Sequence, residues 1–302
     1  GCKENLTVYI TSQTHSSIEK AAMIAGIGSN NIRYIEVNND FSMNISNLKK
    51  QIIKDIQEGC LPFFVCATIG TTSSNAIDSV NDIGKICAQY KLWMHVDAAM
   101  AGTAALCPEY QYMQEGLKYA DSYLFNPHKW MLTNFDCSCL FIKNRVHLVN
   151  ALSIMPEYLK TESSKTANVI DYRDWQIPLG RRFRSLKLWA VIRYYGIDGL
   201  QNYVRNHIEL TQKFLSWIKN DERFEIIAPV PLNLVCFRAK GSDRLNEELL
   251  KYINNTGEIF ITHTKLNDLF TLRFCIGQAH TNIDHIKLAW KLIKDGLEML
   301  KK

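Results

Sequence analysis

Lys129 stands in Asn126-Pro127-His128-Lys129-Trp130, between the apolar segments Tyr123-Leu124-Phe125 and Trp130-Met131-Leu132, so its ammonium is expected at the edge of a buried strand. A lysine so placed either snorkels to water or reacts: desolvation disfavours the charged form, and a neutral amine in a cleft condenses with a carbonyl. The run that follows, Thr133-Asn134-Phe135-Asp136-Cys137-Ser138-Cys139, is rich in hydroxyl and sulfur. Upstream, Leu92-Trp93-Met94-His95-Val96-Asp97-Ala98-Ala99 reads as a short buried strand that ends in a carboxylate and two small residues. The alanines let a flat ligand approach, and the carboxylate suits a buried cationic ring nitrogen.

Pyridoxal phosphate needs that pair, a lysine for the Schiff base and an acid to hold the pyridinium proton. The interval between Asp97 and Lys129 leaves room for one crossover and one strand. With these motifs the sequence resembles the pyridoxal-phosphate-dependent group II amino-acid decarboxylases, especially the aromatic-L-amino-acid decarboxylases. The resemblance runs from about Tyr9 to the end of the chain.

The elements that must position these groups follow from hydrophobic period. Leu6 to Ile10 reads as a strand, and the capping-box spacing of Ser16 and Glu19 starts a helix that leaves His15 just outside its amino end. Ile32 to Val37 is the next strand, and Ile45, Leu48, Ile52 and Ile56 keep a helical period. Phe63 to Ala67 is a buried strand closed by the hydroxyl-rich turn Thr68-Ile69-Gly70-Thr71-Thr72, and Val80, Ile83, Cys87 and Tyr90 mark the helix that leads to Asp97. Continuous apolar strands alternating with helices imply an α/β fold with a mostly parallel sheet covered on both faces. Ligands of such sheets gather at the carboxyl ends of the strands. His15, Thr68, Asp97 and Lys129 each fall just beyond a strand end, which puts all four on one rim.

Cys137 to Ile142 reads as a further strand. Ala151 to Asn168, with Met155-Pro156-Glu157-Tyr158-Leu159 and then an aperiodic polar run, reads as a lid. From Ser185 the texture becomes α+β: helices over Leu186 to Tyr195 and Leu200 to Asn220, strands near Phe224 to Ile227, Leu234 to Phe237, Phe260 to Lys265 and Phe270 to Cys275, and a final helix from Ile283 to Leu300. A large domain over 1–184 and a small one over 185–302 are therefore expected.

The 302 residues carry a net charge of +5 and are 47% apolar, ordinary for a soluble globular chain with one or two domains. Basic residues are interleaved with acids except at Arg181-Arg182-Phe183-Arg184, so no nucleic-acid groove is expected. Nine cysteines occur without a CxxC or zinc-site spacing, which suggests small buried residues in a reducing cytosol and no metal. There is no signal peptide or spanning apolar run, so a cytoplasmic protein without membrane partners is expected, and the glycosylation tripeptides at Asn5, Asn44 and Asn254 read as chance. The first strand begins within a few residues of Gly1 with no starting methionine. The resemblance implies a long preceding portion, with a helical arm that builds the dimer and part of the phosphate cup, so the chain is expected to be a fragment.

The resemblance further implies pyridoxal-phosphate fold type I: a mostly parallel sheet of the seven-stranded type, partial here, followed by a smaller α+β carboxyl-terminal domain. It makes Lys129 the Schiff-base lysine, Asp97 the acid paired with the pyridine nitrogen, and His15 the histidine stacked on the cofactor ring. Thr68 and Ala99 match residues that line the cofactor, and Asn126 and His128 lie where the family contacts its phosphate end. For His128 a packing role is equally open. Tyr158 matches the tyrosine of a mobile catalytic loop, whose phenol protonates the α-carbon and whose closure excludes water. Gly180, in Leu179-Gly180-Arg181-Arg182, matches a pocket position where glycine goes with aromatic substrates. Met100 departs from the tyrosine usual at its position, which bears on fine specificity.

The implied activity is that of a carboxy-lyase: decarboxylation of an aromatic L-amino acid (dopa, 5-hydroxytryptophan, tryptophan or tyrosine) to its amine by a pyridoxal 5'-phosphate homodimer. Two alternatives are an aromatic aldehyde synthase on the same scaffold and a non-catalytic truncated paralogue that acts as a binding partner. Related enzymes that make aldehydes tend to replace the tyrosine or the stacking histidine; His15 and Tyr158 are both present here.

Overall fold

The computed structural model describes residues 5–154 and 171–301. Its first half is a six-stranded sheet ordered β2-β1-β3-β4-β5-β6, from β1 (Leu6–Thr11), β2 (Ile32–Ile35), β3 (Leu61–Thr68), β4 (Trp93–Asp97), β5 (Ser122–Phe125) and β6 (Cys139–Ile142). All neighbours pair in parallel except β6, which runs antiparallel to β5. Helices α1 (Ser16–Ile24), α2 (Ile45–Gln57) and α3 (Val80–Tyr90) supply the crossovers, and short 3-10 turns between 101 and 119 replace a helix before β5. Tyr9, Val65, Ala67, Met94 and Val96 are fully buried in the strands, while Leu48, Ile52 and Ile83 pack down from α2 and α3. The expected α/β layering with a mostly parallel sheet is what forms.

One boundary differs from expectation. The cap of α1 is His15 itself, with extended backbone and a ring Nδ1 that accepts from the Ser17 N–H at 3.2 Å, whereas Ser16 is already helical. A ring nitrogen two residues ahead of a free N–H does the work a hydroxyl usually does, and it fixes the imidazole at the helix entrance.

Beyond α4 (Pro127–Trp130) and α5 (Arg145–Leu152), the second half holds an antiparallel sheet, β7-β8-β10-β9, from β7 (Phe224–Ile226), β8 (Leu234–Ala239), β9 (Thr262–Leu266) and β10 (Leu269–Cys275). Asn267 and Asp268, both at positive φ, make the two-residue turn of the β9–β10 hairpin. Helix α6 (Arg184–Lys219) is interrupted at Gly196, whose φ of 64° and ψ of 178° leave the helical region, so the two helices expected there meet at a glycine break. Leu186, Trp189, Ile192, Tyr194 and Tyr195, before that break, are exposed. After it, Val204 and Ile208 pack into the core of the first sheet, and Leu210, Phe214 and Ile218 into that of the second. Helix α7 (Asp243–Asn255), not anticipated above, buries only the narrow stripe Asn246, Leu249 and Ile253, and α8 (Ile283–Leu300) covers the same core with Ile286, Ala289, Ile293 and Leu297. The anticipated lid lies largely outside the described residues; of it, 151–152 end α5.

Candidate active site

A cavity of about 530 Å³ opens where the carboxyl ends of the first sheet face the second. His15, Thr68, Asp97, Ala99, Asn126 and Lys129 all line it. The sheet register explains the grouping: Thr68 and Asp97 are paired neighbours at the ends of β3 and β4. Asp97 is 5% exposed, and its Oδ1 accepts from the Ala99 N–H at 2.9 Å. Its other oxygen has no bonded partner among the described residues.

Lys129 is carried by α4, a single turn that starts at Pro127, where the missing N–H costs nothing. The Asn126 N–H donates to Ala99 O at 2.8 Å and the Lys129 N–H to Asn126 O at 2.9 Å, so the lysine turn is tied to the segment just after Asp97. Trp130, next in sequence, is fully buried, and its Nε1–H donates to His207 Nδ1 on α6 at 3.0 Å.

Several groups that the sequence did not single out complete the walls. Gly70, at φ +78°, holds the turn after β3 tightly: a Cβ there would lie 2.6 Å from Ala101 Cβ and 2.9 Å from Asn75 Oδ1. Asp78 closes the same loop, accepting from the N–H groups of Thr68 and Met43, each at 2.7 Å. Burial outweighs those two bonds and pushes its carboxyl up to about 6. From the second sheet come Asn233, Leu234, Arg273 and Cys275. Arg273 donates to Thr262 Oγ1 at 2.8 Å and to the Thr72 carbonyl. Ser73 meets the same sheet through Cys236 Sγ, 3.1 Å from its carbonyl, and Thr264 Oγ1, 3.0 Å from its hydroxyl. A charged residue within Phe270-Thr271-Leu272-Arg273-Phe274 was the one local sign that this strand meets a polar partner.

Two of the anticipated residues do not line the cavity. His128 does not line the cavity; its Nδ1 faces the Cys137 backbone, 3.0 Å from that N–H, and its ring meets Phe135 edge-on at 4.9 Å. Gly180 is exposed with open space around it and does not line the cavity. Tyr158 lies outside the described residues. Met100, Leu124 and Leu234 give the cavity an apolar portion.

The donor set around the cavity suits pyridoxal phosphate. Thr68 Oγ1 and Asn126 Oδ1 are buried polar atoms without a hydrogen-bond partner among the described residues, and so are Asn75 Nδ2 and Arg273 Nε. Buried polar groups are ordinarily satisfied, so unpaired atoms around one cavity fit a polar ligand. An amine, a buried carboxylate and a space of this size suit a flat, charged, carbonyl-bearing cofactor, and the residues fit the group.

Residues 1–240 match the family model described as the pyridoxal-dependent decarboxylase conserved domain. The chain is 47% identical over 292 residues to the aromatic-L-amino-acid decarboxylase of Mus musculus, covering 97% of this chain and 60% of the relative. It is 45% identical over 306 residues to the phenylacetaldehyde synthase of Arabidopsis thaliana, covering 98% and 62%. Its backbone superposes on a crystal structure of Oryza sativa TDC with PLP and tryptamine at a TM-score of 0.95, with 38% identity, over 98% of this chain and 64% of that one. The chain thus spans about three fifths of the length of the curated relatives it matches.

Proposed function

Because the chain belongs to the pyridoxal-dependent decarboxylase family, whose fold type I architecture it has, we propose that the protein carrying it decarboxylates an aromatic L-amino acid to the corresponding amine. The observation that carries this is the entry of Lys129 and Asp97 into one cavity with His15, Thr68, Ala99 and Asn126. The apolar side chains of Met100, Leu124 and Leu234 in the same cavity support an aromatic substrate over a polar one.

Pyridoxal phosphate, when bound, supplies an electron-accepting ring for the pair left by departing carbon dioxide. Lys129 is the amine that would hold it, and its Nζ, on the cavity wall, is the group placed to move a proton. Asp97, buried and with Oδ2 uncommitted, would hold a proton on the ring nitrogen. His15, capped into place at the start of α1, orients what lies against it. Thr68 Oγ1 and Asn126 Oδ1 offer bonds to polar substituents of the cofactor. His128 Nδ1 accepts from the Cys137 N–H and braces that segment beside the lysine turn. Tyr158 is assigned the proton delivered to the α-carbon, and Gly180 a place beside the substrate ring in the assembled protein.

The protein acts as a homodimer in the cytoplasm; the exposed apolar face of α6 between Leu186 and Tyr195 supports such a partner, and no helix of the described residues is long and apolar enough to cross a membrane. The division at about residue 184 into a large and a small domain is supported by the two separate sheets. A second reading, an aromatic aldehyde synthase, is favoured by the 45% identity to the phenylacetaldehyde synthase. Incubation of the full-length protein with pyridoxal phosphate and dopa, 5-hydroxytryptophan, tryptophan or tyrosine separates the two: amine and carbon dioxide in equal amounts are expected. Aldehyde with ammonia and hydrogen peroxide would transfer the assignment to the synthase. Tyr158→Phe is expected to move products toward aldehyde. A protein that stays colourless with cofactor would be a non-catalytic paralogue.

A further inference from the structure

We propose that His207 is a positioning residue for Lys129, acting through the hydrogen bond that Trp130 donates to its Nδ1. The inference rests on the role given to Lys129 above. Trp130 is joined to Lys129 by one peptide bond and belongs to the same single turn of helix, too short to hold its own orientation by internal hydrogen bonds. What holds it is tertiary. The indole is fully buried, and its one polar atom donates to His207 Nδ1 at 3.0 Å, with the two rings within 6° of parallel.

His207 is itself fixed on three sides. It is fully buried on α6, and the Tyr203 ring, one turn earlier, lies 4.3 Å from it centroid to centroid. The Tyr203 hydroxyl donates to Gly277 O at 3.0 Å, two residues past Cys275 in the cavity wall. One turn later Thr211 donates its hydroxyl to His207 O at 2.7 Å. The lysine turn of the first sheet is thereby tied, through Trp130, His207 and Tyr203, to the end of β10 in the second. The bond also dictates the proton on His207: an acceptor at Nδ1 requires the neutral ring with its hydrogen on Nε2. Burial favours that neutral form, and its Nε2 is buried without a hydrogen-bond partner among the described residues.

The test uses the full-length protein with pyridoxal phosphate and the variants His207→Leu, His207→Asn and Trp130→Phe. Asparagine places an acceptor oxygen near the position of Nδ1, leucine places none, and phenylalanine removes the donor. Three readouts are taken: the indole N–H resonance of Trp130 in tryptophan-labelled protein, the pH midpoint of the visible cofactor band, and kcat and KM for amine formation. His207→Leu and Trp130→Phe are expected to displace the pH midpoint and lower kcat by roughly tenfold with KM little changed, the loss that one buried neutral hydrogen bond carries. His207→Asn is expected to restore the midpoint, most of kcat and the shifted indole resonance. If His207→Leu fails to fold, Trp130→Phe against His207→Asn makes the same comparison. An unchanged midpoint and kcat in Trp130→Phe, or equal defects in the leucine and asparagine variants, overturns the inference alone. Parent protein that takes up no pyridoxal phosphate overturns the proposed function and this inference together.

Discussion

Asp78, bonded to the backbone of the cavity residue Thr68, gives the fold a measurable pH dependence. Its carboxyl is raised from 3.8 to about 6 by burial, while the Thr68 and Met43 N–H groups pull it the other way. A raised folded-state value means that the native protein holds the proton more tightly than the unfolded chain. The associated stability is therefore complete below the unfolded value of 3.8 and is lost as pH rises through about 6. A shift of about two units corresponds to about 3 kcal/mol in total, of which about 2 kcal/mol falls between roughly pH 4.5 and pH 7.5. Asp78→Asn cannot ionise. Its amide also replaces one of the two acceptor oxygens with a donor, which adds a penalty that does not vary with pH. In urea unfolding of both proteins across that range, the stability of Asp78→Asn relative to the parent is expected to improve by about 2 kcal/mol toward high pH. Other titrating groups contribute equally to both proteins and cancel. A difference that stays flat within about 0.5 kcal/mol would refute the assignment of a buried, costly charge to Asp78.

Three more outcomes follow from the same cavity. Lys129→Ala is expected to abolish the visible band that develops when pyridoxal phosphate is added, read by absorbance, while the melting temperature of the cofactor-free protein stays near that of the parent. Asp97→Asn, which replaces the buried carboxylate with a neutral amide, should still colour but lose on the order of a hundredfold in kcat for amine formation. Gly70→Ala forces an L-residue into the left-handed region and against Ala101. By denaturant unfolding it should cost about 2–4 kcal/mol, with weaker cofactor uptake.

The rim was legible because it depends on strand ends. Each of Thr68, Asp97 and Lys129 follows an apolar run whose length and flanking turns mark where the strand stops, and parallel packing aligns those stops. The antiparallel turn of β6 was not legible, since direction depends on how 126–138 folds back and the local pattern carries no sign of it. Asp78 and His207 escaped notice for a related reason: a buried acid before a helix cap and a histidine on a helix face look ordinary until the partners, Met43 and Trp130, arrive from distant sequence. Helix α7 was missed because a stripe of Leu249 and Ile253 with a buried Asn246 between polar neighbours makes a weak periodic signal. Gly180 was matched by motif alone, and it stands in open space in this chain.

The grip of the second sheet on Thr72 and Ser73 constrains how such chains can be recombined. Arg273, Cys236 and Thr264 all reach the same two loop residues, which sit beside the cofactor cavity and more than a hundred and fifty positions earlier in sequence. A chimera spliced near residue 184, with its leading part from one parent and its trailing part from another, would inherit a clasp with mismatched halves. Grafting 70–75 together with the trailing part should rescue it, since these residues answer to a sheet they do not belong to.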